Sequence, residues 1–302
     1  MIQAEIPAKW KSFLRVGTCS WKYDSWKGLL YDRDRSYRPD DYLKDYSRTL
    51  RTVEVDQWFW SLFPESVRLP EPAVVRRYAA AVPDDFVFTV KAPNALTLTH
   101  FYAKEKGGGG AFAGKPNPLF LDRGLLGRFL DRLAPLGPKL GPVMFQFEYL
   151  NKQKMPSKEA FLEKFGAFIA AAPKEFSYAL ESRNPNYLSP ALFETLARLG
   201  VGYVYLDGYY MPPIGRVFET FKPAPAPFSV LRLHGGDRGE IEKETGEVWD
   251  RIVAPKPNAL RAAADITLEN IRRRISTYVN VNNHFEGSAP LTIERFLAAL
   301  EA

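Results

Sequence analysis

The chain has 302 residues, 46% of them hydrophobic, enough to bury a large core, and its formal charge of +6 permits contact with polyanions without requiring it. Cys19 is the single cysteine, which excludes an intramolecular disulfide and fits a reducing compartment. No run approaches the roughly 18 apolar residues of a membrane span, and residues 1–13 carry charges and a proline where a secretory leader would be apolar, so a cytoplasmic protein with no membrane partner is expected.

Eight strand-like runs follow in order, at residues 15–19, 52–57, 86–91, 143–148, 178–183, 203–207, 230–234 and 278–282. Helical periodicity fills most of the gaps between them. One helix opens at Asp40-Asp41-Tyr42-Leu43, a second covers 74–82, and five more cover 125–133, 158–171, 190–199, 260–277 and 291–300. The sixth unit is irregular, because Gly208-Tyr209-Tyr210-Met211-Pro212-Pro213 leaves only a short helix around 216–221. Strands alternating with helices favour a parallel sheet built from right-handed crossovers. Eight such units in a chain of this length fit a closed, TIM-like (β/α)8 barrel. The usual domain size of about 150 residues does not hold for such barrels, so 1–302 reads as one domain.

Two loops are long for a compact domain. Residues 94–118 follow strand three and hold Lys104-Glu105-Lys106 and a run of four glycines; residues 235–258 follow strand seven and are charged. The glycine run is not a phosphate loop, since no Lys-Ser or Lys-Thr pair opens a helix after it. A surface loop and a lid fit it equally.

Side chains alternate along a strand, so residues two apart share a face. Glu54 and Asp56 oppose Val53 and Val55, Thr89 and Lys91 oppose Phe88 and Val90, and Gln146 and Glu148 oppose Val143, Phe145 and Phe147. Glu181 and Arg183 oppose Tyr178 and Leu180, Arg232 and His234 oppose Leu231 and Leu233, and Asn280 and Asn282 oppose Val279 and Val281. In strand six Tyr203, Tyr205 and Asp207 oppose Val204 and Leu206. The helices must cover the apolar face, which turns the polar one to the barrel axis. Barrel interiors are ordinarily Val, Ile and Leu, and an unpaired buried ion is costly. Such a set must therefore be paired, hydrated at an open mouth, or bound to a ligand or metal. A structural salt-bridge network is the plain alternative; the crowding of these residues toward the C-terminal ends of the strands favours a site.

Two chemistries fit the set. Metal-assisted hydrolysis or isomerisation would draw on His234, His284, Glu286, Glu54 and Glu181 as ligands of a divalent metal, although no compact pair of histidines marks the site. Metal-free acid–base work on a sugar-like substrate would use Glu54 and Glu181 as paired carboxylates and His234 as a base. Arg183, Arg232 and Lys91 would then clamp an anionic group while Gln146, Asn280 and Asn282 orient it, with Asp56 and Asp207 beside them. Ser20 lacks the ordered histidine–acid partners of a nucleophile, and Cys19 with His234 as a thiolate pair is a minor alternative. Trp21, Tyr23 and Trp26 after strand one, Trp58, Phe59 and Trp60 after strand two, and Tyr209 and Tyr210 after strand six either pack loops or stack a ring-shaped ligand. His100 lies in the loop after strand three. Arg272-Arg273-Arg274 reads as a solvated helix face, and neither zinc-finger spacing nor the signature of an RNA-recognition sheet is present.

A family resemblance runs through the same residues. Gly17-Thr18-Cys19-Ser20-Trp21-Lys22-Tyr23, with Trp26, Gly28 and Tyr31, resembles the opening of the DUF72 (YecE-like, UPF0759) family. Residues 52–56 with Phe59-Trp60, residues 86–93, Gln146, Glu181-Ser182-Arg183, Arg232-Leu233-His234-Gly235 and Asn282-Asn283 with Gly287 continue it in order. The resemblance implies a TIM-barrel-like fold and no established reaction; its likeness to metal-dependent endonuclease and sugar-isomerase barrels is an analogy of fold alone. Two positions depart from the family pattern. Cys19-Ser20 stands where Ser-Gly is frequent, and Gln146-Phe147-Glu148-Tyr149 stands where Gln-x-Pro-Pro is frequent, which makes the role of Glu148 less secure. The leading expectation is a hydrolase-like enzyme acting at the barrel mouth on a small phosphorylated or sugar-like ligand, with a divalent metal as candidate cofactor. A non-catalytic nucleic-acid-binding protein is the alternative.

Overall fold

The structure, a computed structural model, describes residues 1–102, 110–221 and 226–302. Eight parallel strands close into a barrel: β1 Leu14–Cys19, β2 Thr52–Val55, β3 Val87–Lys91, β4 Leu140–Phe147, β5 Tyr178–Ser182, β6 Gly202–Gly208, β7 Phe228–Gly235 and β8 Ser276–Val281. Each pairs with the next in chain order, and β8 returns to β1 through Val16 opposite Val279. This is the TIM-like barrel expected of the alternating pattern.

The outer layer begins and ends where local chemistry dictates. Asp122, Ser157 and Ser189 each accept a backbone N–H from the first turn of the helices Arg123–Leu133, Lys158–Ala170 and Pro190–Leu199. Gly200 closes the last of these in a left-handed conformation, φ 68°. Apolar stripes then dock onto outward strand residues: Phe161, Phe165 and Phe168 pack edge-on against Phe145 and Phe147 of β4.

Inside the barrel the layers differ in kind. Met144, Ala179, Val204, Phe228 and Val230 form a separate buried apolar cluster with Tyr278 against it. Ionic and amide side chains from the same strands lie above it, toward the C-terminal ends.

Three details depart from the sequence reading. Strand six is reversed: Val204 joins the interior cluster, while Tyr203 packs on Phe193 and Tyr205 on Phe218 in the helical layer. Asp207, on the face of these tyrosines, accepts the backbone N–H of Ile214 and does not reach the axis. An aromatic face and an aliphatic one both satisfy alternation, and the tyrosines found partners among the helices. The helix expected over 260–277 ends at Arg272; Arg274 turns left-handed, φ 58°, and β8 begins at Ser276. Residues 235–258 contain a helix, Arg238–Thr245, capped by Asp237.

In the loop after β3, a short helix spans Asn94–Thr97 and His100 bridges to Pro116. Lys104, Glu105, Lys106 and the glycines at 107–109 lie outside the described residues, and so does the expectation of a lid. The sixth unit has its short helix at Ile214–Phe221. No helix among the described residues is long and apolar enough to cross a membrane.

Two glycines test how tightly the barrel closes. A Cβ on Gly17 would stand 1.9 Å from the Thr52 carbonyl oxygen, whereas one on Gly127, inside a helix, would meet nothing within 4 Å. Gly17→Ala is expected to destabilise by about 1–3 kcal/mol and Gly127→Ala to stabilise by about 0.5–1 kcal/mol, both read from urea unfolding.

Candidate active site

The site begins at Arg232, an inward residue of β7 whose side chain is 2% exposed. Its Nε donates to Glu54 Oε2 at 2.7 Å and its Nη2 to Glu54 Oε1 at 2.8 Å, a two-pronged pairing with β2. Nη1 donates to Glu181 Oε2 on β5 and, at 3.4 Å, to Gln146 Oε1 on β4. One guanidinium thus ties strands on three sides of the axis. Glu181 Oε1 accepts the Nε–H of Arg183 at 3.1 Å, and the thiol of Cys19 lies 3.6 Å from Glu54 Oε2. At the same level Asn280 donates to Thr89 at 3.1 Å, while its own buried carbonyl oxygen has no partner.

This pairing leaves other ionisable groups exposed to burial without a close counter-ion. Lys91 ends β3 facing inward, and its ammonium lies 4.1 Å from the centre of the Phe59 ring. Burial pushes its pKa down and the charge of Arg232 adds to this, against the pull of Glu54, Glu181 and Asp56. Burial raises the pKa of Asp56, and the charge of Glu54 raises it further. Tyr23 is raised by burial and by the charge of Asp56. Burial would raise Glu181 too, but Arg232, Arg183 and Lys91 together hold it below the usual carboxylate range.

His234, above Arg232 on β7, is held well below its ordinary pKa by burial and by the charges of Arg232, Arg183 and Lys91, so its imidazole is neutral at physiological pH. Its Nε2 is 3.5 Å from the Tyr209 hydroxyl, and Arg183 lies 3.9 Å over the Tyr209 ring. A forced turn creates this stack. Gly208 has φ 141°, where a Cβ would meet the Gly235 carbonyl oxygen at 2.1 Å, and Tyr209 and Tyr210 follow in left-handed conformations. Tyr209 is carried onto His234 while Tyr210 is left fully in solvent.

Of the residues singled out in sequence, Glu54, Glu181, Arg232, Gln146, Arg183, Lys91, Asp56 and His234 converge, with Tyr23 adjoining through Asp56. Asn282 serves His284, accepting from its backbone N–H at 2.9 Å and contacting its Nδ1 at 2.5 Å. Trp21 is buried against Tyr78, and its carbonyl accepts the Tyr31 hydroxyl, so it packs the wall. Asp207 lies in the helical layer, as described above. Arg232 makes no free anion clamp, because all three of its nitrogens are engaged.

The group of metal ligands expected from the sequence is not brought together. Glu286 is buried elsewhere, on Thr292, Arg295 and the backbone of Lys256, and Arg232 and Arg183 occupy the oxygens of Glu54 and Glu181. Among the described residues no three His, Cys, Asp or Glu side chains gather where they could hold a metal ion.

Glu242 and Trp249 were missed in the sequence. Glu242 Oε1 lies 3.2 Å from His284 Nε2, and the Trp249 and His284 rings are 4.9 Å apart. Asp237 followed three residues later by Glu240 is the capping pattern that marks Glu242's helix. Around the mouth stand exposed aromatics, with Trp60 at 62% and Tyr102 at 40% exposure and their rings 5.9 Å apart. Burial and the charge of Glu148 push the Tyr102 hydroxyl up to about 12.

Arg232→Met is expected to cost about 3–5 kcal/mol in urea unfolding, because two buried carboxylates lose their partner; Arg232→Lys should recover little, lacking the fork. Glu181, held low in the fold, contributes stability that is present above the unfolded carboxyl value of about 4.3 and is lost as pH falls through its lower folded value. Glu181→Gln should therefore flatten the acid limb of stability against pH. Lys91, also held low, has the opposite sense, since its folded state sheds a proton more easily than the unfolded chain. Lys91→Met is expected to raise stability at pH 7 by roughly 0.5–2 kcal/mol in the same assay.

Comparison with known proteins agrees with the architecture. A family profile described as "Protein of unknown function DUF72" matches residues 15–302. The UPF0759 protein YecE of Escherichia coli, from strain K12 and from O157:H7, is 26% identical over 198 residues, covering 64% of this chain and 58% of the relative. The aligned region thus spans little more than half the length of those relatives. A DUF72 family protein from Thermotoga maritima superposes with a TM-score of 0.63 at 22% identity, over 96% of this chain and all of that one. Another from Enterococcus faecalis gives 0.62 at 18% identity over 96% of each. At such identities the structural likeness speaks for the barrel. With nearly its whole length under the family profile, the chain belongs to the DUF72 family.

Proposed function

We propose that this protein is an enzyme that binds a phosphorylated or sugar-containing ligand at the C-terminal mouth of the barrel. The observation that carries the reading is the division of the buried charges. Arg232 engages Glu54 and Glu181 from within, which leaves Lys91 with no carboxylate in ion-pair contact among the described residues. Arg183 gives Glu181 only its Nε–H and keeps a fifth of its side chain exposed. With five donors on a guanidinium, Arg183 offers an anionic group the contacts that Arg232 cannot.

The roles first assigned to the carboxylates shift accordingly. Glu54 and Glu181, both bound to arginine, are positioning residues, and Glu181, held low by Arg232, Arg183 and Lys91, is a poor proton carrier near neutral pH. Asp56, raised by burial, and neutral His234 are the groups matched to acid–base work. The donor set does not fit a divalent metal, since the carboxylate oxygens are already occupied.

The exposed pair Trp60 and Tyr102 supports a second reading, a platform for unpaired bases of a nucleic acid. A thermal-shift panel of sugars and their phosphate esters separates the two. A ligand at 100 times its Kd adds about 2.7 kcal/mol, so the enzyme reading expects phosphorylated members to raise the unfolding midpoint of the wild type and not of Arg183→Ala. Oligonucleotide binding that falls steeply with salt, with no response to sugar phosphates, would transfer the case to the second reading.

A further inference from the structure

We propose that Lys91 is the nucleophilic amine of this site, condensing with the carbonyl carbon of an aldose or ketose phosphate to form an imine. The inference rests on the mouth of the barrel being a ligand site, as proposed above, and names the chemical handle by which the ligand is held.

Position comes first. Lys91 is the last residue of β3 and points inward at the end of the barrel where barrel enzymes carry their chemistry. It is the only buried lysine among the described residues. Other lysines with shielded ends have ordinary partners: Lys154 pairs with Glu148 at 2.6 Å, Lys139 donates to the carbonyls of Ala79 and Val82, and Lys174 to that of Ile169. Lys91 has the face of Phe59 and no hydrogen-bond acceptor among the described residues.

The reason is visible in the geometry. Two carboxylates that could have paired with Lys91 are bound to Arg232, and a guanidinium takes the place a counter-ion would have. A lysine enclosed in this way beside another cation loses its proton more readily, which is how amines are made nucleophilic.

The step balances without any oxidant or reductant. The lone pair of Nζ attacks the carbonyl carbon, a C–N bond forms, and the π pair moves to oxygen. That oxygen takes a proton from an acid, while the nitrogen loses one, giving a carbinolamine. A second proton on the hydroxyl lets it leave as water as the nitrogen lone pair closes the C=N bond, and the protonated imine keeps one N–H. Asp56, whose charge acts on Lys91, gives the first proton, takes up the one the nitrogen sheds, and returns it to the hydroxyl. The cation that results lies among Glu54, Glu181 and Asp56, whose charges act on Nζ already.

The test traps the imine. Full-length protein is incubated at pH 7 with glyceraldehyde 3-phosphate or dihydroxyacetone phosphate, reduced with borohydride, and mapped by peptide mass. The expected result is reduced adduct on the Lys91 peptide at about tenfold or more over the mean of the surface lysines, as a more nucleophilic amine would give. The adduct should vanish at that peptide in Lys91→Arg and Lys91→Met, whichever of the two folds better. Labelling spread over surface lysines, with Lys91 no higher than they, overturns the proposal. Glycerol 3-phosphate, which has no carbonyl, is run in parallel by thermal shift. If it raises the midpoint while trapping fails, the ligand site stands and the amine role falls; if neither responds, both fall.

Discussion

Everything in the upper half of the barrel depends on one buried guanidinium. Arg232 joins β7 to β2, β4 and β5 through Glu54, Gln146 and Glu181, in a space where the guanidinium or either carboxylate alone would be strongly disfavoured. Two carboxylates share one guanidinium, and Arg183 supplies the second positive charge to Glu181. A pair of leucines would hold these strands together as well or better. What the ionic arrangement adds is specificity of position: a fork admits few geometries, and the side chains around it inherit that precision.

The neighbours of the cluster are perturbed because the cluster is satisfied. Lys91, Asp56 and His234 lie within the field of charges that are already paired, and burial moves each toward its neutral form. The result is a set of groups drawn toward their neutral forms, beside carboxylates and a guanidinium that satisfy one another. Separation of this kind between fixed and tunable ionisable groups is a mark of functional sites.

Much of this was legible from alternation along the strands. Glu54, Lys91, Gln146, Glu181 and Arg232 each have Val, Leu or Phe as neighbours on the other face, and a polar stripe opposite an apolar one fixes which side meets the helices. Strand six misled because Tyr203 and Tyr205 are amphipathic and pack as readily as Val204. Pairing was not legible at all. That Arg232 chooses Glu54 and Glu181, and thereby withholds them from Lys91 and from any metal, depends on distances across the barrel that no spacing in the chain encodes. At Cys19-Ser20 the structure explains the family pattern and not the departure from it. Ser20 is left-handed, φ 74°, where the glycine frequent in the family would sit without strain.

The apolar cluster at the lower end of the axis has a consequence for traffic. Met144, Ala179, Val204, Phe228 and Val230 fill the barrel beneath the ions, so the axis is closed at that end and is not a channel. Whatever enters from the mouth must leave by it, together with any water displaced or released. Arrivals and departures share that one end, where Trp60 and Tyr102 stand exposed, and the pace of exchange there bounds the turnover of any chemistry on the axis.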